Sequence, residues 1–382
     1  MKCIKLPFVV AGGVLLGSTA VQAAFAPPVG IYSLGPAVDN PGTPADERLS
    51  GLRNYDFVSG YTLRVLWRNI EPTQGDYNFD VIDQALQQAA AIGQRVNLEV
   101  LDAQPDYVLN GAAATYIDHR NEPRTVPWDT FAQSRYAALQ TALSSHVVGD
   151  GRGLPLNQHP VLASVDASGT GLNYGVRDLN NGIRSHPDYT QQKYIQAVVD
   201  GVAVSRQAFP QHQGYIAFFG FVDGQPGVPV DKQLISLLDE QYNVPASAAG
   251  EPSLAFFVEN LSDRGPSATA AGAGLNLLDW TNRGGSTMMQ ALDSWLVHRP
   301  DRDPQLASLN PATGIELAYN DFGTRFFELY LADLDGAVNG AVDASGKPIL
   351  NDLRHWSAVL VPEPGFVGAT ILPLLLISRR RR

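Results

Sequence analysis

The stretch that most limits what this chain can become runs from Tyr61 to Leu101. Tyr61-Thr-Leu-Arg-Val-Leu-Trp67 is rich in strand formers, and the chain then turns through Glu71-Pro72 and Gln74-Gly75. Val81, Ile82, Ala85, Leu86 and Ala89 recur at three- and four-residue steps, the spacing of one apolar helix face. Asn78 suits the N-cap and Gly93 a left-handed C-cap. Arg95–Leu101 follows as a second strand-like run. Strand, helix and strand in that order predict a parallel pair joined by a crossover.

The alternation continues down the chain. Strand-like runs are Val29–Leu34, Tyr61–Trp67, Arg95–Leu101, Val161–Ser168, Tyr215–Val222, Leu254–Leu261, Leu275–Trp280 and Ile315–Asn320. Helical patterns fall at 79–92, 128–146, 189–208, 230–242, 286–298 and 323–334. Eight strands with interleaved helices predict an α/β fold, a (β/α)8 TIM barrel in a single domain over 27–335. No helix stands out between 261 and 275. Gly111–Val126 and Asp150–His159 read as long loops, and 336–360 as a short C-terminal appendage.

Within the first unit, Trp67-Arg68-x-x-Glu71-Pro72-x-x-Gly75-x-Tyr77-x-Phe79-x-x-Ile82-Asp83 resembles a segment near the start of clan A glycoside hydrolases. Those are retaining (β/α)8-barrel enzymes related to bacterial β-galactosidases and xylanases. The resemblance spans residues 67–83 and concerns scaffold more than chemistry. It implies the barrel and a carbohydrate substrate class.

Both ends read as targeting segments. In 1–23, Lys2 and Lys5 precede an apolar run, Phe8–Leu16, and Val21-Gln22-Ala23 offers small residues for cleavage, with cleavage after Ala26 the near alternative. The one cysteine, Cys3, lies inside this signal, so the mature chain is expected to lack thiols and disulfides. At the other end, Val361-Pro362-Glu363-Pro364 is followed by the apolar run Gly365–Ser378 and then Arg379–Arg382. That run is short for a spanning helix, which wants about 20 residues, while the arginines fit a cytoplasmic stop. The three-part order over 361–382 resembles the PEP-CTERM sorting tail. The resemblance implies an exosortase-type partner, transient inner-membrane anchoring, and export to a Gram-negative cell surface or extracellular matrix.

The whole chain carries 27 Lys and Arg against 38 Asp and Glu. Loss of 1–23 and 365–382 removes six cations and no acid, leaving 21 against 38, a net charge of −17. A chain so acidic is a poor nucleic-acid binder. Its seven His are scattered without HExxH spacing, so no metal or other cofactor is expected, and no Gly-x-Ser-x-Gly elbow is present.

In a (β/α)8 barrel, chemistry sits at the C-terminal strand ends. The polar residues expected there are Arg68 and Glu71, Asp102 and Asp106, Asp166 with Asn173 and Tyr174, Asp223, Glu259-Asn260, Asp279-Trp280 and Tyr319-Asn320-Asp321. Carboxylates beside aromatic faces make a sugar pocket, with Trp67, Arg68, Asp102, Tyr174, Asp279, Trp280, Tyr319 and Asp321 as the candidate substrate contacts. Clan A enzymes carry a Glu at the end of strand four and another on strand seven. This chain has Asn173-Tyr174-Gly175-Val176 and Asp279 instead. Either the pair has moved, with Asp166 and Glu259 as the catalytic candidates, or the barrel has become an inactive carbohydrate-binding or matrix protein. Duller roles are expected for some residues: Glu71 as a loop brace or partner of Arg68, Glu328 as an ion pair within a helix, and Trp128, Trp295 and Trp356 as packing groups.

Overall fold

A computed structural model describes residues 25–35, 49–101, 103–118, 121–169, 179–218, 229–242, 254–269, 273–297 and 304–361. Eight parallel strands form a closed barrel: β1 Gly30–Leu34, β2 Gly60–Leu66, β3 Arg95–Leu101, β4 Leu162–Asp166, β5 Gln213–Ala217, β6 Leu254–Leu261, β7 Ser286–Ala291 and β8 Phe326–Tyr330. Each pairs with its neighbours in sequence, and β1 closes on β8 with Gly30 opposite Phe326 and Leu34 opposite Tyr330. Helices follow β2 to β8: α1 Asp80–Ala91, α2 Thr130–Ser145, α3 Gln191–Ala208, α4 Val230–Tyr242, α5 Ala273–Asn282, α6 Pro311–Phe322 and α7 Ile349–Leu360. The segment expected to be an appendage thus carries α7, which packs on α6 and β1.

Strand parity sorts the side chains. Tyr61, Leu63 and Val65 of β2 and Val96 and Leu98 of β3 point outward and pack with Val81, Ile82, Ala85, Leu86 and Ala89 of α1. This is the apolar face read from the sequence. The alternate positions point into the barrel, where Tyr32, Tyr215, Ala255, Phe257, Met288 and Phe326 form a separate apolar cluster.

The last quarter of the chain corrects the sequence reading. Leu275–Trp280 lies within helix α5, and Ile315–Asn320 within helix α6. Strands seven and eight come from runs expected to be helical, 286–298 and 323–334. Leu275-Asn-Leu-Leu-Asp-Trp280 and the apolar run at 315–320 are short enough to suit either element, and periodicity does not separate buried strands from buried helices. Ser286-Thr-Met-Met-Gln-Ala291 is rich in helix formers, yet barrel pairing overrides that preference.

A stack of three rings fixes α5 on the barrel. Phe218, just past β5, lies 4.2 Å and 6° from Phe256 of β6, which lies 4.0 Å and 9° from Trp280 of α5. The Trp280 indole donates to the Ser286 carbonyl at the start of β7. Gly285 makes this approach possible, since a Cβ there would stand 2.2 Å from Trp280 Nε1. Trp280→Ala should cost about 3–5 kcal/mol by opening a cavity in this stack. Urea unfolding checks it, with the midpoint expected to fall and the slope to stay constant.

Candidate active site

The inner and C-terminal parts of the strands carry the ionisable groups. On β3 the inward positions carry Asn97 and Glu99, and on β2 they carry Thr62 and Arg64. Leu98 of β3 pairs with Val165 of β4, which sets Glu99 alongside Asp166 one step further on. Glu328 of β8 completes the group from across the closure. Glu99 is 2% exposed, Asp166 6% and Glu328 0%.

A buried network surrounds Glu328. Glu328 Oε1 accepts from Thr62 Oγ1 at 2.7 Å and from Asn97 Nδ2 at 2.8 Å. Asn97 also donates to the Tyr215 hydroxyl at 3.3 Å and accepts from Ser164 Oγ at 2.6 Å. Burial, then the charge of Glu99, pushes the Glu328 carboxyl up to about 8. Burial also holds the Tyr215 phenol well above its ordinary value, with Glu99, Asp166 and Glu328 adding to it. Glu328 is therefore a strand residue inside the barrel, not the helical ion-pair residue expected. The signal for Glu99 was available: in Arg-Val-Asn-Leu-Glu-Val-Leu the polar residues share one parity.

Asp166 ends β4 and accepts from the backbone N–H of Ser168 at 2.9 Å and from its hydroxyl. Glu259 lies near the end of β6, half-buried, where the pairing with β7 shifts register between Val258 and Leu261. Two β6 residues, Glu259 and Asn260, thus face one β7 residue, Gln290, which is a bulge. The true β7 carries Gln290, not an acid, at its inward C-terminal position.

Several expected sugar contacts lie elsewhere. Asp279 sits on α5, bound to Lys232 at 3.2 Å and Arg283 at 2.9 Å, and Trp280 is sealed beneath it with 0% exposure. Tyr319 and Asp321 belong to α6, where Tyr319 packs on Trp356 and Asp321 accepts from the backbone of Ala268. None of these four is at the barrel mouth, because the strands expected to present them are helices. Trp67 follows β2 but is buried, its ring edge-on to Tyr136 and its indole donating to Glu71 at 2.8 Å. Arg68 is half-buried, its backbone N–H bonded to the Ala103 carbonyl. Asp102, Tyr174 and Asp223 lie outside the described residues, as do the signal segment and the tail beyond Val361. Among the described residues no group of three His, Cys, Asp or Glu is placed to hold a metal ion. A cavity of about 440 Å³ opens at the other end of the barrel, between Pro27, Met288, Phe322, Arg325 and Phe326, away from these acids.

The chain is similar to several solved structures. The catalytic domain of β-amylase from Paenibacillus polymyxa aligns at TM-score 0.54 and 11% identity, covering 89% of this chain and 100% of that one. An endo-β-1,4-glucanase from Xanthomonas axonopodis pv. citri gives 0.47 and 12%, covering 86% and 99%. Xylanase 10B from Thermotoga maritima gives 0.44 and 9%, covering 87% and 95%. At 11% identity the β-amylase likeness speaks to the fold alone. No protein-family model matches the sequence, and no curated protein matches it.

Glu71 acts as the loop brace expected, but its cation is Arg135 and not Arg68. The carboxylate accepts from Trp67 Nε1, the Gly75 backbone at 3.0 Å and Arg135 Nη2. Burial opposes its charge, yet the donations from Trp67, Gly75, Tyr107 and Arg135 outweigh it and hold the carboxyl below the usual range. A depressed folded value adds stability above the unfolded pKa, and that stability is lost as pH falls through the folded value. Glu71→Gln, which strands the Arg135 guanidinium, should cost about 3 kcal/mol at pH 7. In acid melts the gap to wild type should close as Glu71 of the wild type is protonated.

Proposed function

We propose that this chain is an exported glycoside hydrolase-like barrel acting on an extracellular or matrix polysaccharide through two carboxylates, Asp166 and Glu259. The observation that carries the reading is a closed parallel barrel with Asp166 at the end of β4 and Glu259 near the end of β6, the end where such barrels do their chemistry. The resemblance at 67–83 gives the substrate class, and a β-amylase catalytic domain shares the fold. The β6 bulge supports Glu259, since it places that residue opposite Gln290, on the strand where the resemblance implies an acid. In a two-carboxylate mechanism one acid protonates the leaving oxygen while the other attacks the sugar or activates water. A spacing of about 5–5.5 Å gives retention and about 6.5–9.5 Å inversion. The tail at 361–382 would route the chain to an exosortase-type enzyme and leave it at the cell surface or in the matrix.

One observation favours a second reading, a catalytically inactive barrel that holds polysaccharide. The chain has no Glu at the position after strand four where the resemblance expects one, and β7 offers Gln290. A screen of the full chain against glycosidase substrates and a glycan array separates the two. Under the leading reading, Glu259→Gln and Asp166→Asn each lower kcat by about 10²-fold or more, with melting temperatures near wild type. Undiminished turnover in either variant removes that residue from the mechanism; glycan binding without turnover leaves the inactive barrel. Deletion of 361–382 should release the protein into the medium, and unchanged retention at the envelope would count against the sorting reading.

A further inference from the structure

Glu328 is used by neither arm of the two-carboxylate reading, and its hydrogen bonds are lopsided. Both donors, Thr62 Oγ1 and Asn97 Nδ2, reach Oε1. Among the described residues Oε2 has no hydrogen-bond partner, and the side chain is fully buried. This is the pattern of a neutral carboxylic acid, whose carbonyl oxygen takes the donors while the hydroxyl oxygen keeps its proton. An ionised carboxylate with a bare oxygen at zero exposure is costly.

Most of the surroundings agree, Arg64 on β2 being the charge that favours the ionised form. Tyr32 on β1 and Tyr215 on β5 are buried phenols that stay neutral. Gln290 on β7, opposite Glu328 in the ladder, is neutral as well. Arg64 on β2 commits its guanidinium to the Gly35 carbonyl, at 3.0 Å through Nε and 2.7 Å through Nη2. The negative charge that Glu328 meets most strongly is Glu99 on β3, and Glu99 stands alongside Asp166 on β4.

We propose that Glu328 stands inside the barrel as a neutral acid at neutral pH, its proton on Oε2, making Glu328 a positioning residue of the site. Like charges packed in one buried cluster cannot all ionise together. With that proton in place one negative charge is withheld from the interior that Asp166 shares. As pH rises past about 8 the proton goes to solvent and that charge appears. The positioning role rests on the two-carboxylate reading, whereas the buried proton does not.

Infrared spectroscopy of the full chain tests the proton directly. At pH 6 a carbonyl band of protonated carboxyls should be present, to which Asp333, also buried and pushed up to about 7, contributes a share. Asp333→Asn should remove that share and Glu328→Gln the remainder, and the remainder should titrate near pH 8. A band absent from wild type at pH 6, or unchanged in Glu328→Gln, overturns the proposal. Thermal melts give an independent reading with a fixed sign. A raised folded pKa adds stability that is complete below the unfolded value and is lost as pH rises through the folded one. The wild-type melting temperature should therefore fall between about pH 5 and 8 by more than that of Glu328→Gln; equal slopes overturn the proposal. Should Glu328→Gln fail to fold, the wild-type and Asp333→Asn band titrations still decide. Where a glycan is turned over, Glu328→Gln should shift the alkaline limb of the kcat/KM profile. An unmoved limb removes the positioning role and leaves the proton. Inactivity on every glycan sinks the two-carboxylate reading while the infrared result stands by itself.

Discussion

Closure of β1 onto β8 is the constraint on which the rest of the structure depends. The pairing runs the full length of both strands, from Gly30 opposite Phe326 to Leu34 opposite Tyr330. Once the ring is closed, every strand has one side facing the helices and one facing the barrel axis, so each side chain's destination follows from its parity. The outward set is what holds the molecule together, with aliphatic and aromatic groups packed under the helices. The inward set is free to differ. Here it does so residue by residue: Tyr32, Phe257, Met288 and Phe326 are aromatic or apolar, and Thr62, Asn97, Glu99, Ser164 and Glu328 are polar.

That polar set works against stability. A fully apolar barrel interior of similar volume would avoid the desolvation of three carboxyls, and buried ionic groups are often replaced by apolar ones without loss. What keeps the cost bearable is that the neutral members satisfy one another: Thr62 and Asn97 donate to Glu328, and Ser164 donates to Asn97. Ionisable groups with strongly perturbed titration inside a barrel mouth are more common at functional sites than in scaffolding. The network around Glu71 shows the contrast. There a carboxylate meets an arginine, an indole and a backbone amide, its charge is favoured, and it serves the loop above β2.

The first six strands were legible in the sequence because their signals were local. Arg95–Leu101 and Leu254–Leu261 have the bounds expected, and α1 matches its apolar spacing. Beyond residue 270 the pattern slipped by one element. Leu275–Trp280 and Ile315–Asn320 are short apolar runs that a buried helix and a buried strand share, and Phe326-Phe-Glu-Leu-Tyr330 was absorbed into a helix. That slip had a chemical consequence. It put Asp279, Trp280, Tyr319 and Asp321 at an imagined mouth and hid Glu328, whose position on a strand is what turns it inward. Glu99 was hidden differently, since attention to strand ends passes over a residue two places inside one.

The corrected register also changes what the missing strand-seven acid means. With the seventh strand at Leu275–Trp280, Asp279 stood in for the carboxyl that the resemblance implies there. With the seventh strand at Ser286–Ala291, the inward terminal position is Gln290, an amide that neither attacks nor protonates. The β6 bulge sets Glu259 and Asn260 together opposite that amide on the neighbouring strand. A bulge costs ladder pairing, and at the rim of a barrel its usual effect is to re-aim a side chain.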